Sequence, residues 1–175
     1  LFRSDVDVTT VSLSATGTVT EGGAITYTAS LTNAAHDAVT VTLAGGATIT
    51  IASGATTGTV TVAASDDFYV GTTSDTRAIT GTSGGTTFES LAFSTAAATT
   101  TVPSDVDVTT VSLSASGTVT EGGAITYTAS LTNAAHDAVT VTLAGGQTIT
   151  IASGATTRSE EHTSELQSHS FISYA

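Results

Sequence analysis

The side chains whose placement suggests chemistry are carboxylates. Glu21 stands in Thr20-Glu21-Gly22-Gly23, Asp66 and Asp67 in Ser65-Asp66-Asp67-Phe68, and Asp105 and Asp107 in Pro103-Ser104-Asp105-Val106-Asp107. All three segments are turns or connections, and in a β-sandwich of this strand order they lie at the same end. Carboxylates brought together there repel one another at close range unless a cation sits between them. Ca²⁺ suits such a set, because it takes roughly six to eight oxygens in flexible geometry. Mg²⁺ demands stricter octahedral geometry, and Zn²⁺ prefers His or Cys. The plain alternative is a set of solvated turn residues, since Asp and Gly are ordinary turn formers.

Other motifs carry less. Asn33-Ala-Ala-His-Asp37 and Gly81-Thr-Ser-Gly-Gly85 have a superficial likeness to the histidine and serine motifs of chymotrypsin-like proteases. His36 and Ser83 are 47 residues apart, however, and one sandwich cannot supply two barrels. Thr82 replaces the usual acid, and no Asp is placed to orient the histidine. The pairs Gly22-Gly23 and Gly45-Gly46 lack the Lys and the helix of a phosphate loop. The reading is therefore non-enzymatic, with no catalytic residue and no small-molecule substrate. Tyr27, Phe88 and Phe93 have the parity of core residues rather than of a sugar-stacking platform.

The elements that must position the acids are strands. Ile25, Tyr27, Ala29 and Leu31 alternate with Thr26, Thr28, Ser30 and Thr32, and the same period-2 pattern runs through Val11–Ala15, Val39–Leu43, Ile49–Ile51 and Val60–Val62. Ile79 anchors a weaker strand. Phe88 and Phe93 have opposite parity, which predicts a bulge near Glu89-Ser90. About seven short strands with turn signals between them and no helical period predict an all-β, immunoglobulin-like Greek-key β-sandwich.

Self-comparison adds a repeat. Asp5–Thr57 matches Asp105–Thr157 at an offset of 100 residues, with Thr16 against Ser116 and Ala47 against Gln147 as the two differences. A period of this size suits one small sandwich per repeat. Residues 5–104 are read as a complete repeat and 105–157 as the N-terminal half of a second. Half a sandwich leaves its inner face uncovered and an edge open to other chains. From Arg158 the chain changes character, and Arg158–Ser168 with Ile172–Ala175 resembles a translated sequencing adapter, as does Leu1-Phe-Arg-Ser4. Residues 1–4 and 158–175 are accordingly read as non-native.

Composition narrows the partners. Fifteen acidic residues face three basic ones, for a formal net charge of -12, and Lys is absent. A phosphate-binding surface needs clustered cations, so nucleic acid and anionic membrane surfaces are excluded as partners. Cysteine is absent, which removes disulfides, thiolate metal sites and thiol nucleophiles. No apolar run reaches bilayer-spanning length. The start at Leu1, without Met, suggests a fragment.

The segment Val19–Thr32, the Ser-Asp-Asp67 turn and the Asp-Val-Asp107 linker resemble the tandem extender repeats of giant bacterial RTX adhesins, distantly similar to Calx-beta and cadherin repeats. The resemblance implies an extracellular, cell-surface location reached by type I secretion. It also implies Ca²⁺ held at inter-repeat linkers, with neighbouring repeats of the same chain as partners. On this likeness Glu21, Asp66, Asp67, Asp105 and Asp107 take the ligand roles. The function it implies is a structural extender stiffened by calcium. The alternative is a carbohydrate- or receptor-binding module of the same kind of adhesin, for which His36, Asp37 and Tyr69 are the available loop residues.

Overall fold

Alternation of apolar and hydroxyl side chains becomes burial. In Ala24–Leu31 every second residue, Ile25, Tyr27, Ala29 and Leu31, is buried, while the intervening Thr and Ser are only half-buried. β-branched and hydroxyl residues favour the strand backbone, so the pattern selects both the element and its inner face. The structure, a computed structural model, describes residues 5–163.

The chain divides into two compact units, Leu1–Val106 and Asp107–Ala175. The first contains β1 (Val8–Ala15), β2 (Ala24–Leu31), β3 (Val39–Leu43), β4 (Thr48–Ile51), β5 (Thr57–Ala63), β6 (Thr72–Arg77), β7 (Ile79–Gly84), β8 (Ser90–Phe93) and β9 (Ala98–Pro103). One sheet has the order β5-β2-β1-β8, with β1 and β8 parallel, and a second has the order β4-β3-β7. β6 and β9 form a two-stranded ribbon, joined to the turn after β1 by a parallel bridge from Thr18 to Thr101. Val11, Ile25, Tyr27 and Leu31 of the first sheet meet Val39, Val41, Leu43, Ile49, Ile51 and Ile79 of the second in one core, closed by Ala98 and Val102 of β9. The all-β sandwich of the sequence reading is thus observed.

Two details differ from the sequence reading. Phe88 lies in the bend ahead of β8 rather than within the strand, so its parity against Phe93 needs no bulge. The irregularity sits instead in β3, where the register with β7 shifts between Thr42 and Leu43. Strands β6 and β9 were not foreseen as separate elements. Thr72–Arg77 carries no apolar period, and β9 buries Ala98, Thr100 and Val102, a run too small and polar to stand out.

A buried polar tie anchors β6 to the core. The Tyr27 hydroxyl donates to the Asp75 carboxylate, Arg77 Nε donates to Asp75 Oδ1 at 2.9 Å, and the guanidinium lies 5.7 Å from the Tyr27 ring centroid. Burial and the bond to Asp75 push the Tyr27 phenol up to about 12. The Arg77 hydrogen bond holds the Asp75 carboxyl below the usual range.

The second unit contains β10 (Val111–Ala115), β11 (Ala124–Leu131), β12 (Val139–Thr142), β13 (Thr148–Ile151) and β14 (Thr157–Thr163). They form sheets of order β10-β11-β14 and β12-β13. Counterparts of β6 to β9 do not occur among its described residues. β14 takes the place of β5 and runs across position 158, so Arg158–Thr163 of the adapter-like stretch pairs in register with β11. The remainder of that stretch and residues 1–4 lie outside the described residues.

The two copies show what the missing strands do. Val11 is fully buried, whereas Val111 is 45% exposed, and Leu113 reaches 49%. The second core shrinks to Ala129, Leu131, Ala135, Ile149 and Ile151. Sequence is the same at these positions, and the difference accompanies the lack of counterparts to β6–β9 among the described residues of the second unit.

Candidate metal centre

Three backbone segments meet at one end of the first unit. The turn between β1 and β2 is drawn to β9 by Val19 N donating to Thr101 O at 3.0 Å and Glu21 N to Pro103 O at 3.1 Å. It is drawn to the β5–β6 connection by Gly22 N donating to Ser65 O at 3.3 Å, while Ala64 N returns a bond to Gly23 O at 2.8 Å. Ser104 N donates to Gly71 O at 2.9 Å and fixes the exit of β9 against the same connection. Gly22 adopts φ +66, a conformation open to glycine at little cost, and its Cα faces the Asp66 carboxylate, where an added Cβ would lie 3.6 Å from Oδ2.

This scaffold gathers acids. Glu21, Asp66 and Asp105 each offer a carboxylate oxygen, and the three oxygens lie within 4.8 Å of one another. Asp66 and Asp105 are exposed, whereas Glu21 is only 7% exposed and its Oε2 has no hydrogen-bond partner. A buried carboxylate oxygen with nothing to bond is costly unless something supplies a positive charge. Burial pushes the Glu21 carboxyl up from 4.5, and the negative charges of Asp67, Asp66 and Asp105 push the same way, against a lowering hydrogen bond from the Asp105 backbone. A cation beside the carboxylates would act against these raising influences by favouring the charged form.

Of the five acids singled out in the sequence, three converge. Asp67 is near enough for its charge to act on Glu21, but its Oδ1 accepts a bond from Tyr69 N at 2.7 Å and it stands outside the three-oxygen group. Asp107 belongs to the second unit. The donor set of three carboxylates is hard oxygen, which fits Ca²⁺ and not a thiolate- or imidazole-preferring metal.

The loop residues considered for other roles are placed differently. Asp37 accepts bonds from Thr86 N at 3.0 Å, Thr86 Oγ1 at 3.1 Å and Thr87 Oγ1 at 2.7 Å. Those bonds, the Thr87 hydroxyl foremost, lower its carboxyl to about 2. Asp37 thus ties the β2–β3 loop to the turn before β8. Phe68, Tyr69 and Val70 project into solvent from the β5–β6 connection, Val70 at 98% exposure.

No helix of the described residues is long and apolar enough to cross a membrane. No curated protein matches the chain significantly. A family model, the LapA domain, matches residues 7–105 and again 107–169, so each match follows one of the two units closely. LapA is a large biofilm adhesin, which makes this chain an adhesin-related module of the cell-surface kind. With two successive matches that together cover most of its length, the chain belongs to the LapA domain family.

Proposed function

We propose that the first unit is an immunoglobulin-like extender module of a secreted bacterial adhesin, and that Ca²⁺ held by Glu21, Asp66 and Asp105 stiffens it where the chain leaves for the next repeat. The observation that carries this reading is the unpartnered, buried Glu21 Oε2 facing two further carboxylates. A bound ion would satisfy that oxygen and cancel the repulsion among the three acids. It would also tie the β1–β2 turn, the β5–β6 connection and the exit of β9 into one body. Strand lengths of this order make each module on the order of 30 Å long, so reach grows by simple addition of repeats. Such a role needs no catalytic group and no small-molecule substrate, and its partners are neighbouring repeats of the same chain. Transport by a type I system belongs to the same reading. Affinity is expected at roughly 10⁻⁴ to 10⁻³ M, as in other extracellular calcium modules.

Isothermal calorimetry with CaCl₂ on the whole chain tests it. Saturable heat that disappears in Glu21→Gln and falls sharply in Asp105→Asn supports the centre. Heat unchanged by both substitutions removes it. Asp67→Asn and Asp107→Asn report whether these two neighbours contribute ligands.

A second reading, a ligand-binding module of the same kind of adhesin, draws on the exposed Phe68-Tyr69-Val70 loop. Glycan-array binding that is lost in Tyr69→Ala would favour it.

A further inference from the structure

We propose that the parallel contact between residues 17–21 and β9 is a force-bearing latch, through which the first unit resists being pulled apart by its two ends. Thr18 and Thr101 form a parallel bridge. Around it Thr101 N donates to Gly17 O at 3.0 Å, Val19 N to Thr101 O at 3.0 Å and Glu21 N to Pro103 O at 3.1 Å. Thr100, fully buried, adds a side-chain bond, its Oγ1 donating to Thr16 O at 2.6 Å.

Strand direction makes this contact mechanical. The chain enters the unit along β1 and residues 17–21, and it leaves along β9, which runs the same way beside them. A pull on the two ends draws the first segment backward and β9 forward along a shared axis. The four bonds stand across that axis, so they are strained together and must fail together. Peeling from one end would break them in turn, at lower force.

The topology gives the load few other routes. β1 is held on both sides, by β2 and, over residues 8–11, by β8. β9 instead pairs with β6 in a separate two-stranded ribbon. Force passing from the sandwich to β9 therefore crosses at the latch and at the bond from Tyr27 to Asp75. Apolar grip on β9 is slight, since its core residues are Ala98 and Val102. Pro103 ends the ladder, because it accepts from Glu21 N but has no N–H to extend the pairing. The value of such a latch to an extender rests on the function proposed above, whereas the latch itself stands on the fold and needs no ion.

Single-molecule pulling on the intact chain, in chelator, tests the inference and leaves the calcium centre to its own calorimetry. The chain has no native cysteine, so handles can be set at chosen sites. Asp5→Cys with Val106→Cys loads the latch in shear, and Phe68→Cys with Val106→Cys peels the ribbon from its end. Across positions 5 and 106 the unit should open in one step, lengthening by roughly 30 nm at about 3.6 Å per residue. Across positions 68 and 106 opening should begin at a clearly lower force. Thr100→Val keeps the shape and removes one latch bond, and should speed opening across 5 and 106 roughly five- to tenfold at fixed force. Asp37→Asn, which loses bonds away from the latch, should change that rate far less. Equal opening forces in the two directions overturn the proposal. A rate unmoved by Thr100→Val, or moved as much by Asp37→Asn, overturns it too.

Discussion

The hydroxyl of Tyr27, at the centre of the first core, donates to the carboxylate of Asp75 on β6, 48 residues along the chain. Asp75 in turn holds Arg77, whose guanidinium returns over the Tyr27 ring. β6 has no apolar face of its own, so this triad joins it to the core alongside its pairing with β9. Tyr27→Phe keeps the ring and removes the bond, and should cost about 1–2 kcal/mol in denaturant unfolding of the first unit. Asp75→Ala should cost more, because it strands both the phenol and the Arg77 charge in half-buried surroundings.

Acid should weaken the same region with a definite sign. The carboxyls of Asp37 and Asp75 are both depressed in the folded chain, Asp37 to about 2 by the Thr87 and Thr86 donors. A depressed carboxyl contributes stability above its unfolded value of 3.8 that is lost as pH falls through the folded value. Melting temperatures measured from pH 5 down to pH 2 should therefore fall, and Asp37→Asn should flatten part of that fall.

Glu21 should behave in the opposite sense. Its carboxyl is raised, so in a chelator its contribution is favourable below 4.5 and is lost as pH rises through the higher folded value. Glu21→Gln should consequently raise the melting temperature of the chelated protein at pH 7. With calcium present the same substitution should lower it relative to the native chain. A crossing of the two curves is the signature; parallel curves would mean that no ion uses this carboxylate.

Calcium itself should stabilise modestly. At a concentration about tenfold above a weak dissociation constant, linkage gives about 1.4 kcal/mol. For a unit of this size that amounts to a shift of roughly 6–11 °C in melting temperature. Scanning calorimetry with and without the ion measures it, and a shift that survives Glu21→Gln would place the effect elsewhere.

The two copies should melt apart. Val11→Ala opens a hole in a closed core and should cost roughly 2 kcal/mol. Val111→Ala, at a position already 45% exposed, should cost little. Hydrogen exchange should show β10 amides exchanging well before those of β1.

The alternating strands were legible because hydroxyl and apolar residues mark the two faces residue by residue. Glu21, Asp66 and Asp105 were legible as turn acids, each in a segment where alternation stops. Asp66 and Asp67 could not be told apart, since the difference between them is that one carboxylate turns to the Tyr69 amide. β6 stayed hidden because Thr72–Arg77 is held by pairing with β9 and by the bond from Tyr27, and contacts across such sequence distances leave no local pattern. The burial of Glu21 was equally invisible, because it comes from the backbone bonds to Pro103 and from Gly22 to Ser65.

Asp105 is the first residue of the second sequence copy, yet its carboxylate stands with Glu21 and Asp66 in the first unit. The folded unit runs to Val106, so it takes Asp105 with it. Anyone excising a single module at the copy boundary would cut away one of its three acids, and a module at the far end of an array would have to obtain that acid from whatever sequence comes next.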